Sequence, residues 1–144
     1  MVIAPLQTGD EAEWLRMRRT LWPDCPEEMH RLEVQEQRAS DAAVFVFRRE
    51  GGGLGGFIEL SIRERVDGSL SPRVGYVEGW FVDEDLRGKG VGRRLIAHAE
   101  DWTRSQGLTE IASDAEIDNP ASIEAHAALG FSETFRLAHF LKRI

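Results

Sequence analysis

The chain has 144 residues, of which 42% are hydrophobic and 30% charged, and its formal net charge is −7 at pH 7. This size and composition are typical of one soluble globular domain, here over residues 1–144, with a single core. The acidic balance argues against nucleic-acid binding, because lysine and arginine must neutralise the phosphates. No apolar run approaches the roughly 20 residues that a membrane span requires.

The cysteine content and the N-terminus bear on the cellular compartment. The segment after Met1 leads directly to Asp10 and Glu11, without a basic start or a long apolar stretch, so we expect no signal peptide. Cys25 is the single cysteine, which excludes an internal disulfide framework and a cysteine-rich zinc site. We therefore expect a cytoplasmic protein.

The hydrophobic patterns predict strands and helices in the order β-α-α-β-β-β-α-β-α-β. The first helix ends at Trp22, because the residue before Pro23 is pushed out of the helical conformation. Residues 57–62 alternate with the two-residue period of a strand that has one buried face. The predicted strands are 3–7, 43–47, 57–62, 74–82, 111–113 and one or two over 131–142, and the predicted helices are 10–21, 26–38, 91–105 and 121–129.

This order indicates the fold class. A run of antiparallel strands comes first, and a strand–helix–strand crossover then implies a parallel pair. We therefore predict a mixed α/β domain whose central sheet is mostly antiparallel, with one parallel pair, and is covered by helices.

A glycine-rich turn joins the strand ending near Val82 to the helix beginning near Gly90. The first turn of a helix presents free N–H groups and the positive end of the helix dipole, so such a junction can bind phosphates. Glycines let the backbone approach phosphate oxygens, and Arg87 and Lys89 add positive charge. The spacing fits neither a P-loop nor a dinucleotide-binding turn. Tight packing at a helix start, with solvated basic residues, is the alternative explanation.

The spacing Arg-x-x-Gly-x-Gly, carried by Arg87, Gly90 and Gly92, resembles the acetyl-CoA signature of the GNAT superfamily. The segments 119–122 and 128–131 resemble the start and end of the last helix in that superfamily. The resemblance implies that acetyl-CoA is a co-substrate, whose pyrophosphate is held by backbone amides of the turn. The residues it implies for cofactor binding are Phe81, Val82, Arg87, Gly88, Lys89, Gly90, Val91, Gly92, Asn119 and His126.

Further segments are similar to the small aminoglycoside 6′-N-acetyltransferases; they are 21–23, 77–82, 112–114 and 128–134. That similarity implies a polycationic substrate and contacts from Trp22, Glu78 and Asp114. An acidic pocket with an aromatic wall suits such a substrate. Glu78 and Asp114 lie at or near the ends of neighbouring strands, where ligands collect in open α/β sheets. The alternative is that Glu78 is an edge glutamate and Asp114 a turn cap.

The resemblance also implies a direct attack of the amine on the thioester. Glu78 would remove the ammonium proton through a water molecule, while the Val82 amide stabilises the oxyanion. Many superfamily members carry a tyrosine seven residues after the helix-opening asparagine, to protonate the leaving thiolate. Counting from Asn119 gives His126, which can donate a proton near neutral pH. His126 is equally compatible with a packed or surface histidine.

Other functions stay open from the sequence. One alternative is an enzyme that acetylates another amine, such as a polyamine, an amino acid or a protein N-terminus. It can also be a non-catalytic acyl-CoA-binding module, because the signature residues only bind the cofactor. The resemblance implies a homodimer, and the segment 135–141 is apolar enough to pair across subunits.

Overall fold

The structure is a computed structural model that describes residues 2–144, so that Met1, the first residue of the predicted domain, lies outside the described residues. Short 3-10 turns lie at Thr8–Asp10 and Glu84–Leu86. The strands are β1 Val2–Pro5, β2 Ala43–Arg48, β3 Leu54–Glu64, β4 Arg73–Val82 and β5 Ile111–Ser113, and the helices are α1 Glu11–Leu21, α2 Glu27–Ala39, α3 Val91–Ser105 and α4 Pro120–Ala128.

The five strands form one sheet in the order β1-β2-β3-β4-β5. The first four are antiparallel to their neighbours, whereas β4 and β5 are parallel. The crossover between the parallel strands runs through α3, as a parallel pair requires. The predicted mixed α/β class and the position of the parallel pair are confirmed.

Helices cover both faces of the sheet and create two cores. α3 has an apolar stripe at helical spacing, which packs on one face, and α1 and α2 pack on the other. The buried residues of the first core are Ile3, Phe47, Ile58, Leu60, Val77, Val91, Leu95, Ile96 and Ala99. Those of the second are Trp14, Leu15, Met17, Val34, Val44, Val46, Leu54, Phe57 and Phe81.

A buried ion pair lies within the second core. Arg18 on α1 donates to Glu59 on β3, and Trp14 Nε1 donates to the same carboxylate at 2.9 Å. The side chains of Arg18 and Glu59 are only 2% and 4% exposed. Burial raises the pKa of Glu59, and the Arg18 charge opposes that shift. The pair fixes α1 against the sheet close to Trp22, which follows α1 directly.

The predicted strands over 131–142 are wrong for this chain as described. After α4, residues 131–144 form no strand with any other part of residues 2–144. A strand needs a neighbouring edge to satisfy its N–H and C=O groups, and this segment pairs with no strand of the described sheet. Its apolar side chains are consequently left in solvent; the large exposed ones are Phe135, Leu137, Phe140, Leu141 and Ile144.

The helices of residues 2–144 are also too short or too polar to cross a membrane.

Candidate active site

The pairing between the parallel strands β4 and β5 is short. Their pairing covers only Gly75 to Val77 on β4, although β4 continues to Val82. The amides of successive strand residues point to opposite edges. Because Asp83 N–H donates to Gly55 on the β3 side at 2.8 Å, the Val82 N–H points to the opposite, open edge. Residues 78–82 of β4 are therefore unpaired on the β5 side, and the space beside this open edge is called the β4–β5 slot below.

The slot opens at a β-bulge. The register of β3 against β4 shifts where Glu59 pairs with Gly79 and Leu60 pairs with Val77. Glu78 is the extra residue, which has no counterpart on β3. A bulge bends its strand and re-aims the side chain at that position. The bulge thus lies where the pairing of β4 with β5 has ended, and it sets the direction of Glu78.

The turn before α3 is open at its glycines. Gly88 and Gly90 have positive φ angles of 73° and 84°, a conformation that favours glycine. A Cβ atom added at either position would meet no other atom within 4 Å. Gly90 is the N-cap of α3, and no side chain of residues 2–144 caps that end. The first amides of α3 are thus available to a ligand, as the sequence predicts.

The other residues predicted at this turn differ in whether their side chains are exposed or packed against the fold. Lys89 is exposed beside the glycines. Arg87 folds back, with Nε donating to the Val82 carbonyl at 3.0 Å. The Phe81 side chain is buried in the second core, so that only its backbone borders the slot. Gly92 allows Trp80 to pack beneath α3, since a Cβ there would lie 3.2 Å from the indole ring.

Trp22 covers β4 from the α1 side. A Cβ atom at Gly79 would lie 2.6 Å from the Trp22 ring, so only glycine lets the indole rest on the strand. The Arg18 guanidinium lies 4.7 Å from the Trp22 ring centroid on another side. Trp22 is therefore held by β4 and by the buried ion pair. Its contact on β4 is Gly79, the residue that follows Glu78.

Glu78 is held by two neighbours on β3. It accepts hydrogen bonds from Ser61 Oγ at 2.6 Å and from Arg63 Nε and Nη2 at 2.8 and 2.6 Å. Its side chain is 28% exposed, so a ligand in the slot can still reach it. Charge-assisted bonds of this kind fix the orientation of a carboxylate. Neither Ser61 nor Arg63 was identified as a site residue from the sequence.

Asp114 lies on the side of Arg63 that is opposite Glu78. The Arg63 guanidinium stacks 3.7 Å from the Tyr76 ring centroid, and Tyr76 Oη donates to Asp114 at 2.6 Å. Burial and then this hydrogen bond raise the pKa of Tyr76. The structure thus joins Glu78 and Asp114 through Arg63 and Tyr76, although the two carboxylates make no direct contact.

A cavity of about 400 Å³ lies between α1, α2 and the sheet, with Glu78 and Trp22 in its wall. The sequence did not single out the acidic residues that α2 adds to it. Glu33 and Glu36 are three residues apart and so lie on one helix face, a spacing that could have identified them. The full lining is Arg18, Trp22, Glu33, Glu36, Gln37, Ser40, Ala42, Glu59, Ser61 and Glu78. Four acidic side chains of the lining face two guanidinium groups, Arg18 in the lining and Arg63 bound to Glu78, and this excess of acidic groups suits the cavity to a cation.

His126 on α4 closes the opposite side of the slot. Its Nδ1 lies 2.7 Å from the Ser122 carbonyl, which can only accept, so Nδ1 carries the hydrogen. In the neutral ring Nε2 then accepts from Ser113 Oγ at 2.8 Å. The ring packs edge-on against Trp80 and Phe131. His126 therefore combines a packing role with a hydrogen bond to the end of β5.

Asn119 is used within its own helix. Its Oδ1 accepts from the Ser122 N–H at 3.2 Å, which caps α4. A cofactor contact from Asn119 would therefore come from its other side-chain atoms or its backbone.

The chain matches the acetyltransferase (GNAT) family over residues 13–131. It is 41% identical to the aminoglycoside N(6′)-acetyltransferase type 1 of Klebsiella aerogenes, with 98% of this chain and 95% of the relative covered. The enzyme of the same name from Stenotrophomonas maltophilia is 39% identical, with 92% and 86% covered.

Two solved structures are similar over nearly the whole chain. The apo aminoglycoside 6′-N-acetyltransferase from Acinetobacter haemolyticus has a TM-score of 0.92 at 35% identity, covering 100% of this chain and 99% of that one. AAC(6′)-Iy, in complex with the bisubstrate analog CoA-S-monomethyl-acetylneamine, has a TM-score of 0.91 at 34% identity, covering 99% and 98%. The second structure holds a CoA derivative, in agreement with the open turn and slot described above.

Proposed function

This chain belongs to the GNAT acetyltransferase family, and we propose that it transfers the acetyl group of acetyl-CoA to the 6′-amine of aminoglycoside antibiotics. The observation that carries the proposal is the acidic cavity that meets the β4–β5 slot at Glu78. An aminoglycoside carries several ammonium groups, which the carboxylates attract. A neutral or anionic substrate would gain nothing from this lining.

The proposed cofactor site is the uncapped end of α3 with the slot beneath it. Amides of residues 88–92 hold the pyrophosphate, and Lys89 and Arg87 add charge near it. The open edge of β4 accommodates the pantetheine arm, beside the Phe81 and Val82 backbone. The thioester supplies the acetyl group. The Val82 N–H, which points to that edge, donates to the oxyanion that forms during attack.

Glu78 is the proposed general base. The substrate amine arrives as an ammonium and must lose a proton before it attacks the thioester carbonyl. The bulge directs Glu78 toward the junction of cavity and slot, and Ser61 and Arg63 restrict its rotation. The proton passes to Glu78 directly or through one water. No covalent enzyme intermediate is required.

Trp22 and Asp114 are the proposed substrate contacts on either side of Glu78. The indole forms the aromatic wall of the cavity, where sugar rings and ammonium groups can lie against it. Asp114 binds a neighbouring ammonium with the carboxylate oxygen that Tyr76 leaves available. The α2 carboxylate Glu36 binds an amine farther from the reacting group.

His126 is proposed to serve the leaving thiolate. In the neutral ring Nε2 carries no proton, so either the imidazolium or the Ser113 hydroxyl bonded to it must supply one. The packing of His126 against Trp80 fixes its distance from the slot.

A comparison of drugs in a susceptible bacterium tests the proposed function. We expect expression of the protein to protect against aminoglycosides that carry a 6′-amine and to leave those with a 6′-hydroxyl fully active. The Glu78→Gln variant serves as the control for expression without catalysis. The position of the acetyl group, measured by NMR on the product of the purified enzyme, should be the 6′-nitrogen.

Two results would redirect the proposal. Acetylation of a polyamine with much higher kcat/KM than any aminoglycoside would assign the acidic cavity to that substrate. Binding of acetyl-CoA without thiol release against any amine would instead indicate a non-catalytic acyl-CoA-binding module.

The exposed C-terminal segment supports a further proposal, a homodimer. The apolar side chains of residues 135–144 have no cover within the described chain, and contact with a second copy would bury them. We expect light scattering to give twice the mass of one chain. The double variant Leu137→Glu/Phe140→Glu should shift it toward the monomer.

The control for this prediction is Leu32→Glu, which places the same charge on another exposed apolar residue, on α2. A monomeric mass for the unmodified protein at micromolar concentration would contradict the dimer.

Cytoplasmic location and the lack of a nucleic-acid partner are proposed on the single cysteine and the net charge of −7. Cell fractionation and a gel shift with duplex DNA check these two points.

A further inference from the structure

The turn between α1 and α2 brings three metal-binding side chains together. Cys25 lies in the turn, and His30 and Glu33 lie three residues apart on one face of α2. One ligand atom from each residue lies within 4.8 Å of the other two. This cluster lies behind the cavity wall, which it shares only through Glu33.

His30 has the hydrogen-bond arrangement of a metal ligand. Its side chain is 1% exposed, and Nε2 lies 3.2 Å from the Trp22 carbonyl. A carbonyl only accepts, so Nε2 carries the hydrogen and Nδ1 presents a lone pair. Nδ1 is buried and has no partner within residues 2–144. Histidines that bind metals typically donate their other N–H to a backbone carbonyl or a carboxylate, which fixes the tautomer.

A buried acceptor without a partner is costly, and it needs an explanation in the structure. The two other side chains of the cluster offer such an explanation. Cys25 is half-buried and offers a sulfur. Arg18 donates to Oε2 of Glu33, and the second oxygen of that carboxylate can bind a cation. A ring nitrogen of His30 thus lies within 4.8 Å of a sulfur and a carboxylate oxygen.

We propose that Cys25, His30 and Glu33 bind a zinc-class divalent cation. Sulfur, imidazole and carboxylate are the ligands of Zn²⁺, and three protein ligands leave the fourth position for water. Mg²⁺ and Ca²⁺ prefer oxygen ligands, so they should compete poorly. The bound ion ties the α1–α2 turn to α2. Trp22 lies in the same turn, so the ion also stiffens the aromatic wall of the cavity.

Cobalt titration of the tag-free protein tests the site. Thiolate bound to Co²⁺ gives a charge-transfer absorption in the near ultraviolet, and Cys25 is the only cysteine that can produce it. We expect the band to saturate at one equivalent and to disappear on adding Zn²⁺. Calorimetry with Zn²⁺ should give one site, and Mg²⁺ should give no measurable heat.

The variants are Cys25→Ser, which should abolish the band and weaken Zn²⁺ binding at least about tenfold, and Glu33→Gln, which should weaken binding. His139→Ala, an exposed histidine outside the cluster, is the matched control and should bind as the unmodified protein does. Zn²⁺ should also raise the Tm of the unmodified protein and leave that of Cys25→Ser unchanged.

Three outcomes would overturn the proposal: no band and no Zn²⁺ heat with the unmodified protein, equal Zn²⁺ affinity in Cys25→Ser, or equal affinity for Mg²⁺. Each readout is independent of acetyl transfer. The metal site can therefore fail while the proposed function holds, or the reverse.

Discussion

Replacing Glu78 by glutamine is expected to lower kcat/KM for an aminoglycoside by about 100-fold, mainly through kcat. The amide keeps the size of the side chain and an acceptor oxygen for Ser61, but it cannot take up the ammonium proton. The measurement is thiol release from acetyl-CoA at saturating and at low aminoglycoside concentration. Acetyl-CoA affinity, measured by calorimetry without the drug, should change little.

Glu36→Gln is the matched control, because it removes one charge from the same cavity on an exposed residue of α2. It should raise KM about fivefold and leave kcat intact, since an exposed charge contact contributes about 1 kcal/mol. Should Glu78→Gln behave in the same way, Glu78 would bind the substrate and not act as the base.

His126→Ala belongs to the same series. If His126 supplies the proton of the leaving thiolate, kcat falls and its pH profile changes. An unchanged kcat and pH profile would assign that proton to another donor, such as water. Circular dichroism must first show that the loss of packing against Trp80 has not altered the fold.

Replacing Arg18 by methionine is expected to lower the free energy of unfolding by about 3–5 kcal/mol. The change leaves the buried Glu59 carboxylate without its cation, while the Trp14 hydrogen bond remains. Urea denaturation of the purified variant measures the loss. Arg38→Met, which breaks the exposed pair with Glu11, is the control and should cost less than about 1 kcal/mol.

The pH dependence of this loss follows from the raised pKa of Glu59. A group whose pKa is higher in the folded state favours folding when it is protonated, and that contribution disappears as the pH rises through its folded-state pKa. The deficit of Arg18→Met should therefore be smaller at acidic than at alkaline pH.

The double variant Arg18→Met/Glu59→Gln provides the complementary test. It removes both charges and keeps an acceptor for Trp14, so it should recover most of the lost stability. A double variant as unstable as Arg18→Met would show that the packing of Arg18 matters more than its charge.

Several features of the site were predictable because they depend on local sequence. Glycines at 88 and 90 allow the positive φ angles of the turn, and the apolar stripe of α3 packs that helix on the sheet. The resemblance of residues 87–92 to the acetyl-CoA signature of the GNAT superfamily then implied the cofactor. None of these features requires knowledge of which residues meet across the fold.

The bulge at Glu78 was not predictable, because it depends on the register between two strands. A strand pattern assigns residues to alternate faces, whereas Val77 and Trp80 both contact the α3 side. The bulge changes the alternation between them. Glu78 was identified by resemblance, but only the paired strands show why its side chain lies beside the slot.

The amino-acid sequence by itself determined the order of elements from β1 to α4, the open glycine turn and the acidic balance, since periodicity, glycine conformations and charge are properties of short segments. Only the tertiary structure decided which carboxylates share a cavity, which nitrogen of His30 lacks a partner, and that residues 131–144 form no strand. These depend on contacts between residues far apart in the chain, and hydrogen bonding and burial fix them only once the elements have packed.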